Sequence, residues 1–264
     1  MSIHYKSPEE LATMREAGRI VAVAHQAVRE AIRPGTTTKQ LDTLVAGILR
    51  DHNATAAFLG YPKQDSPNFP ASICASINDE LVHGIPSDRR VLKEGDIISI
   101  DIGSVYKGFV GDSAWTYPVG EVGPAVRRLL EVSEEALWVG IRASVMPNET
   151  KDVSLAIQQY VSRQGYSVVR EYTGHGVGRK MHEEPSVPNW WPRGRRLRRQ
   201  QGWVSYPLKP GMTYALEPMI NAGRAETREL ADKWTVVTED GALCTHFEHT
   251  IAITEQEPIV LTLP

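Results

Sequence analysis

The sequence predicts a fold of helix pairs and strand-rich stretches arranged as two similar halves, and three observations support this. Two helical patterns precede a strand-rich stretch, and the same order then repeats. Pro34-Gly-Thr-Thr37, before the second helix, has a counterpart in Pro147-Asn-Glu-Thr150, before the fourth. Leu92-Lys-Glu-Gly95 has a counterpart in Leu208-Lys-Pro-Gly211. We therefore expect one domain, residues 1–264, formed by an internal duplication with halves of about 7–120 and 121–264.

The first half opens with two amphipathic helices. Ser7 precedes a proline at the first helical position, and Glu10 follows it by three residues, which is the pattern of a capping box. Apolar residues recur at helical spacing until Pro34-Gly35 ends the pattern. After residues 36–38, a second helix has the spacing of one buried face, at Leu41, Leu44, Val45, Ile48 and Leu49. A strand-rich stretch then covers 71–119.

The second half repeats this order. A helix is predicted over about 124–144, with apolar residues at Val126, Leu129, Leu130 and Leu137. Another is predicted over about 151–163, with apolar residues at Val153, Ile157, Tyr160 and Val161. Strand patterns return from residue 166 to the end of the sequence. Each pair of helices thus precedes its own group of strands.

Composition and charge exclude several classes of protein. With 29 Lys and Arg against 32 Asp and Glu, the net charge is −3, which argues against a protein whose main task is to coat nucleic acid. Cys74 and Cys244 are too few for a disulfide framework and form no C-x-x-C motif. No apolar stretch approaches the ~18 residues that span a bilayer, and the N-terminus has no apolar signal core. We expect a cytoplasmic protein without membrane contact.

Two aspartates are expected on one face of a hairpin. Residues 97–103 and 109–117 are predicted strands, and Tyr106-Lys-Gly108 is predicted to be the turn between them. A loop at 106–107 places Asp101 directly opposite Asp112, whereas a loop at 107–108 shifts the pairing but keeps both on one face. Two carboxylates ~4 Å apart repel by roughly 4 kcal/mol at an effective dielectric constant of ~20. Something must offset that repulsion.

The second half has carboxylates at comparable places. Glu217 follows the repeated glycine by the same six residues as Asp101, and Glu248 lies on a later strand, as Asp112 does. A single strand aspartate is usually exposed or paired with a lysine such as Lys107, but that explanation would have to hold for all four. Bridging carboxylates hold pairs of metal ions about 3.5–4 Å apart. The set therefore predicts a divalent-cation site.

Three histidines are further candidates. His175 lies in Tyr172-Thr-Gly-His-Gly-Val-Gly178, where flanking glycines let backbone approach whatever the imidazole touches. No phosphate-binding signature is nearby, so a ligand role is favoured over a packed core histidine. His182 is open to three roles, as a ligand, a hydrogen-bond donor or a surface residue, and His83 is equally ambiguous. The glycine string lacks the strand–helix setting of a dinucleotide site.

Five of these residues resemble the metal-ligand set of a known family. In chain order, Asp101, Asp112, His175, Glu217 and Glu248 are similar to the ligands of the methionine aminopeptidases, in their short type I bacterial form. Supporting strings are Ser76-Ile-Asn-Asp-Glu-Leu-Val-His83-Gly-Ile-Pro86, Thr173-Gly-His175-Gly-Val-Gly-Arg-Lys-Met-His182-Glu-Glu-Pro185, Leu216-Glu-Pro218 and Phe247-Glu-His-Thr250.

The resemblance covers nearly the whole chain, from the first helix to Ile253. It implies an α+β pita-bread fold, a single catalytic metallopeptidase domain whose pseudo-symmetric halves form a curved antiparallel sheet backed by helices. The metals are implied to lie between the halves. Two segments depart from the family, a longer loop at 63–68 and a longer link at 186–207, and both leave the ligand set intact.

The resemblance also implies a dinuclear metal site. Four carboxylates and one imidazole suit Co, Mn, Fe(II) or Zn better than a thiolate zinc site, so two such ions are the expected cofactors. By resemblance, Asp101 binds one ion through both oxygens, and Asp112 and Glu248 bridge the two. His175 and Glu217 complete the other ion.

The implied reaction is removal of the N-terminal methionine from nascent proteins and peptides when the second residue is small. A water acidified by two cations is the nucleophile. Glu217 is expected to shuttle its proton to the leaving amine, His182 to steady the oxyanion, and His83 to contact the scissile amide. The metals anchor the free α-amine, which explains an exopeptidase.

The methionine side chain is expected to enter a small apolar slot. The matching positions are Tyr61, Phe69, Cys74 and Trp234, with Phe58 and Met181 nearby. Sulfur against aromatic rings gains about 0.3–1.5 kcal/mol, which would favour a thioether. For each residue, a role as an ordinary core aromatic is the alternative.

The link at 186–207 carries Trp190-Trp191 and a cluster of arginines: Arg193, Arg195, Arg196, Arg198 and Arg199. Two hypotheses stand, a solvated basic loop and a contact with ribosomal RNA phosphates beside the nascent chain, for which arginine is well suited. A monomer is expected.

Two other functions remain as alternatives. An X-Pro aminopeptidase or dipeptidase shares the metal set and fold, but such relatives usually carry a large extra N-terminal domain, and here the catalytic half starts by Ser7. A non-enzymatic pita-bread protein that binds RNA or proteins would have lost ligands, whereas all five are present in this sequence. The aminopeptidase hypothesis is therefore favoured.

Overall fold

A computed structural model describes residues 2–194 and 202–264 of the chain. Within these ranges the helices form two pairs, one ahead of each group of strands: α1 (Pro8–Ala31), α2 (Thr38–Asp51), α3 (Pro124–Ala143) and α4 (Thr150–Arg163). These bounds agree closely with the predicted ones. Across the described residues, no helix has the length and apolar character needed to cross a membrane.

Side-chain caps fix where the first two helices begin. Ser7 Oγ accepts a hydrogen bond from the backbone N–H of Glu10, whose carboxylate accepts one from the N–H of Ser7. Thr37 and Gln40 form the same reciprocal pair at α2. These contacts satisfy backbone donors that the first helical turn leaves without partners.

The strands in the described residues all pair antiparallel. Those of the first group are β1 (Thr55–Ala56), β2 (Ile73–Ile77), β3 (Glu80–Val82), β4 (Ile97–Tyr106) and β5 (Phe109–Pro118). Those of the second group are β6 (Ser167–Val168), β7 (Gly174–Gly176), β8 (Glu183–Val187), β9 (Thr213–Leu216), β10 (Met219–Asn221), β11 (Thr227–Glu229), β12 (Val236–Thr238), β13 (Cys244–His246), β14 (His249–Ala252) and β15 (Ile259–Val260).

The strands form two larger sheets and two small ones. In the first sheet β4 lies between β2 and β5 and also pairs with β1, and in the second the order is β15-β14-β9-β7-β8. One small sheet has the order β13-β10-β6. The other has the order β11-β12-β3, so β3 from the first group pairs with strands of the second. The two groups of strands are therefore joined by hydrogen bonds.

The β4–β5 hairpin turns at residues 107–108. Lys107 and Gly108 both have positive φ, at 47° and 78°, as a type I′ turn requires. Asp101 consequently pairs with Ala114, and Gly103 pairs with Asp112. This is the second of the two predicted registers, and it keeps both aspartates on one face of the hairpin.

Strand β5 is joined to the second group at the point where Asp112 and Glu248 lie. The N–H of Glu248 donates to Ala114 O at 2.8 Å, and Ser113 Oγ donates to Glu248 O at 2.6 Å. Thr250 Oγ1 both accepts from the N–H of Asp112, at 3.1 Å, and donates to its carbonyl, at 2.8 Å. These bonds hold the backbones beside the two carboxylates in fixed positions.

Each helix pair covers its own apolar core. Ile20, Val45 and Ile100 belong to the core between α1, α2 and the first sheet. Leu137 and Ile157 belong to the core between α3, α4 and the second group of strands. The helices thus back the strands on the side away from the carboxylates. The internal duplication itself stays a prediction.

We expect two helical glycines to respond oppositely to alanine. A Cβ on Gly18 would lie 2.1 Å from Leu261 O, whereas the nearest atom to one on Gly47 is Arg50 Nη2 at 3.8 Å. Gly18→Ala should therefore lower the free energy of unfolding by about 1–3 kcal/mol through overpacking. Gly47→Ala should raise it by roughly 0.5–1 kcal/mol through helix propensity. Denaturant unfolding of both variants checks this, and a stabilised Gly18→Ala would contradict the close packing of α1.

The segment with the arginine cluster is described only at its ends. Trp203 packs edge-on against Trp190 and Trp191, with ring centroids 4.9 and 5.2 Å apart. Arg193 is exposed. The other predicted RNA-contacting residues, Arg195, Arg196, Arg198 and Arg199, lie outside the described residues.

Candidate metal centre

A cavity of about 280 Å³ is lined by residues from both groups of strands. It brings together every residue that the sequence analysis selects for the site: Tyr61, Phe69, Cys74, His83, Asp101, Asp112, His175, His182, Glu217, Trp234 and Glu248. Phe58 and Met181, expected nearby, also line it. The candidate residues therefore form one contiguous site.

His175 is positioned with one nitrogen toward the carboxylates. It lies on β7, which pairs with β9, and Glu217 directly follows β9. His175 Nε2 is 3.8 Å from Asp112 Oδ2 and 3.5 Å from Glu217 Oε1. His175 Nδ1 is 3.0 Å from the carbonyl of Gly176, so Nδ1 carries the hydrogen and Nε2 presents its lone pair to the cavity. This is the tautomer that a metal ligand needs.

The glycines beside His175 are required by close backbone packing. A Cβ on Gly174 would lie 2.5 Å from Ala215 O, and one on Gly176 would lie 2.3 Å from Glu184 O. Larger residues would push β7 away from the neighbouring strands. The glycines thus fix the depth at which His175 enters the site.

Glu248 and a further histidine, His246, also line the cavity. Glu248 is 2% exposed, and its neighbour His246 is likewise buried. His246 Nε2 is 3.4 Å from Glu217 Oε2 and 3.7 Å from Glu248 Oε2. The imidazole of His246 therefore borders two of the four carboxylates.

Burial raises the pKa values of all four carboxyl groups, and repulsion by neighbouring carboxylates adds to this for three of them. Loss of hydration is the main cause for Asp101, Asp112, Glu217 and Glu248 alike. The charge of Asp112 adds to it for Asp101 and Glu248, and the charge of Glu217 adds to it for Asp112. Burial also lowers the pKa of His175 to about 3. The carboxylates therefore need cations to remain charged at low cost.

Several buried oxygens in the cluster have no hydrogen-bond partner among the described residues: Asp101 Oδ1, Asp112 Oδ1 and Glu248 Oε1. Buried polar atoms are normally paired, because leaving one unpaired costs about 1–3 kcal/mol. Ligand atoms of Asp112, His175 and Glu248 lie within 4.8 Å of one another. Oxygen donors with one imidazole nitrogen fit a divalent transition metal.

His182 and His83 flank the carboxylate cluster. The His182 ring lies 4.2 Å from the His175 ring, centroid to centroid, and His182 Nδ1 is 2.6 Å from the hydroxyl of Tyr61. His83, with positive φ, packs edge-on against Tyr172 and Trp234. Burial lowers the pKa values of both histidines, to about 4 for His83. Both are therefore neutral at physiological pH.

An apolar pocket continues from the cluster. Its wall is a group of packed side chains, namely Phe58, Phe69, Ala71, Cys74 and Trp234, with Tyr61 and Met181 against it. The Phe69 and Trp234 rings meet edge-to-face at 5.1 Å. Trp234 Nε1 donates to Pro67 O at 2.8 Å, which ties the longer loop at 63–68 to the pocket.

The lining also contains residues that the sequence analysis did not select for the site, among them His246, Tyr172 and Met219. His246 precedes Glu248 by two residues, and alternation along an extended chain would have placed both on one side. Tyr172 and Met219 carry no such signal, because their place in the cavity depends on how separate strands pack.

Comparison with known proteins identifies the family. The sequence profile of metallopeptidase family M24 matches residues 12–255. Methionine aminopeptidase 1 of Bacillus subtilis is 50% identical over 257 residues, which cover 97% of this chain and 98% of the relative. Relatives so similar over their full length share a family.

Comparison with solved structures supports the same family. A crystal structure of methionine aminopeptidase from Thermotoga maritima superposes with a TM-score of 0.92 at 41% identity, covering all of both chains. A Xaa-Pro dipeptidase from Bacillus anthracis shares the fold, with a TM-score of 0.75, but at 22% identity and with only 61% of its length covered. The chain has the α+β pita-bread fold that these proteins share. It therefore belongs to metallopeptidase family M24, and within it to the methionine aminopeptidases.

Proposed function

We propose that this metallopeptidase removes the N-terminal methionine from nascent proteins and peptides in the cytoplasm when the second residue is small. One observation carries the proposal: buried, unpaired carboxylate oxygens converge beside an apolar pocket within a single cavity. The polar end suits the scissile amide and the free amine, and the apolar end suits a methionine side chain. Family membership makes the chain a hydrolase that uses a metal.

Two divalent ions would be held by five side chains: Asp101, Asp112, His175, Glu217 and Glu248. Co, Mn, Fe(II) and Zn all suit this donor set. When bound, such ions acidify a water molecule and polarise the substrate carbonyl. The cations would also offset the loss of hydration and the repulsion that raise the pKa values of these carboxyl groups.

Glu217 is the candidate for proton transfer. It lies 8% exposed at the edge of the cluster, between His175 and His246. It would take a proton from the attacking water and deliver it to the leaving amine. His246, beside it, would hold its carboxylate in place.

The two flanking histidines would act on the substrate as donors. Tyr61 Oη lies 2.6 Å from His182 Nδ1. The hydroxyl would donate to that nitrogen, which would leave the hydrogen of the neutral ring on Nε2. His182 would direct that hydrogen at the developing oxyanion. His83 would contact the scissile amide from the side of Trp234.

A peptide assay with metal removal tests the function. Met-Ala-Ser should release methionine, chelation should abolish the release, and added Co, Mn, Fe(II) or Zn should restore it. A peptide that starts with Ala-Pro is the control for the X-Pro alternative and should remain intact. Cleavage of the proline peptide alone would favour that alternative, and release unaffected by full chelation would remove the metal from the mechanism.

We predict that Phe69→Ala weakens selection for methionine. The variant opens the pocket and removes the edge contact with Trp234, so kcat/KM for a methionyl peptide should fall roughly 10- to 200-fold, as expected for a poorly filled apolar pocket. Leu59→Ala, at a nearby position that is 59% exposed, is the matched control and should retain wild-type kinetics. Thermal melts of both variants separate a pocket defect from unfolding.

Nascent chain N-termini are the proposed partners, and a monomer remains the prediction. The ribosome hypothesis rests on the arginine cluster at 193–199, of which Arg193 is exposed. Replacing its arginines should weaken co-sedimentation with ribosomes and spare tripeptide hydrolysis. Unchanged sedimentation would support the solvated-loop interpretation.

A further inference from the structure

A second cavity, of about 670 Å³, shares no lining residue with the candidate active site. This rear cavity lies between α1, α3 and the strands β5 and β14, and its walls include His25, Trp115, Tyr117, Trp138 and His249. Its size is within the range of about 300–1,000 Å³ that is usual for small-molecule sites. It is not used in the proposed reaction.

The rear cavity lies behind the candidate metal ligands. Ser113 and His249 line it, and each directly follows a candidate ligand in the sequence, Asp112 and Glu248 respectively. Successive side chains of extended backbone point to opposite sides. An occupant would thus lie one layer of backbone away from the carboxylate cluster.

One buried polar atom in this cavity lacks a partner. His249 is 4% exposed, and its Nε2 has no hydrogen-bond partner among the described residues. Both ring nitrogens of the neighbouring His25 are engaged, Nδ1 with Tyr117 Oη and Nε2 with Ser113 O, each at 2.9 Å. Of the two histidines that line this cavity, only His249 has a ring nitrogen without a hydrogen-bond partner among the described residues.

The contacts of His249 Nδ1 identify Nε2 as a donor. Nδ1 lies 2.8 Å from Thr262 Oγ1, which accepts from the N–H of Thr250 at 3.2 Å. Among the described residues the Thr262 hydroxyl makes no other hydrogen bond, so we assign its hydrogen to Nδ1, the acceptor within reach. The hydroxyl of Ser113, 3.5 Å from Nδ1, already donates to Glu248 O. A neutral His249 ring consequently carries its hydrogen on Nε2.

Aromatic rings surround this donor. The rings of Trp115 and Trp138 lie 5.5 and 5.7 Å from the His249 ring, centroid to centroid. At the exposed rim, Arg29 and Glu30 carry opposite charges, so the rim favours neither sign of ligand charge. The chemistry is that of a flat apolar surface with one hydrogen-bond donor.

We propose that the rear cavity binds a planar aromatic molecule with an uncharged hydrogen-bond acceptor, such as a carboxamide. Its ring packs against Trp115 and Trp138, and its carbonyl oxygen accepts from His249 Nε2. Burying the ring removes apolar surface from water, and the carbonyl satisfies the unpaired nitrogen.

Fluorine NMR of two probes with the intact protein tests this. 4-Fluorobenzamide should bind about fivefold more tightly than 4-fluorotoluene, the difference expected for one neutral hydrogen bond. Excess L-methionine should leave the benzamide signal unchanged, because methionine enters the other cavity. Displacement by methionine, or equal binding of the two probes, would overturn the proposal.

Variants locate the probe. Gln26→Trp, at an exposed position that lines the rear cavity, should abolish binding of 4-fluorobenzamide, whereas Ala12→Trp, exposed on the same helix outside the cavity, should preserve it. His249→Phe keeps an aromatic ring beside the tryptophans but removes the hydrogen-bond donor. 4-Fluorobenzamide and 4-fluorotoluene should then bind about equally tightly. Binding that survives Gln26→Trp would overturn the proposal, and thermal melts confirm that each variant is folded.

Discussion

Glu217→Gln is expected to lower kcat for methionyl peptides by about 10²- to 10⁴-fold, the range for loss of a general acid–base group. Glutamine retains an amide oxygen that can still face the metal, but it cannot take up a proton from water. Steady-state kinetics at saturating metal measure the loss. Metal content of the purified variant, determined by mass spectrometry, separates proton transfer from loss of ions.

A matched substitution on the surface provides the control. Glu226→Gln makes the same chemical change at an exposed residue outside the cavity, and its kinetics should equal those of the wild type. If Glu217→Gln kept more than about a tenth of wild-type kcat with metal bound, Glu217 would be a ligand without a role in proton transfer.

The carboxylate cluster could be predicted because its signal is local. Each member is an acid within an apolar stretch of sequence, where an acid is costly, and spacing from a repeated glycine relates two of them. Asp101 and Asp112 lie inside strands, whereas Glu217 and Glu248 lie just beyond strand ends. The hairpin register could be limited to two alternatives but not resolved. Lys107 adopts the left-handed conformation that Asn or Asp more commonly supplies in such turns, so no residue type at this position marks where the turn lies.

The apolar pocket and the neighbourhood of His246 depend on contacts between distant segments. Phe69 and Trp234 meet beside the loop at 63–68, which is held by the hydrogen bond from Trp234 Nε1 to Pro67 O and by the ion pair of Lys63 with Glu229. His246 pairs with Met219, two residues after Glu217, on a neighbouring strand. Apart from the two-residue spacing of His246 and Glu248, these contacts have no local pattern in the sequence. The family resemblance, rather than periodicity, supplied the pocket residues.

The rear cavity was not expected from the sequence at all. In the sequence, nothing distinguishes Trp115 and Trp138 from ordinary core aromatics. His249 lies within a string that the resemblance assigned to metal binding through Glu248. Only the assembled structure shows that His249 points away from the cluster and keeps a nitrogen unpaired.

Asp112→Asn is expected to stabilise the metal-free protein while abolishing its response to metal. Asp112 is 2% exposed and lies among three other carboxyl groups, so removing its charge relieves repulsion of a few kcal/mol at most. The melting temperature without metal should rise by about 2–8 °C. Wild-type protein should gain about 2.7 kcal/mol when free metal is 100-fold above its dissociation constant, and the variant should gain far less.

Scanning fluorimetry with and without Mn or Co measures both effects at once. Asp88→Asn, at an exposed position outside the cavity, removes a charge without relieving buried repulsion, so its melting temperatures should match the wild type in both conditions. A stability cost for Asp112→Asn in metal-free protein would show that Asp112 is paired with a cation or donor supplied by the chain itself. A full metal response in the variant would show that the ions bind elsewhere. Either result would contradict a site in which the buried carboxyl groups repel one another and bind metal ions between them.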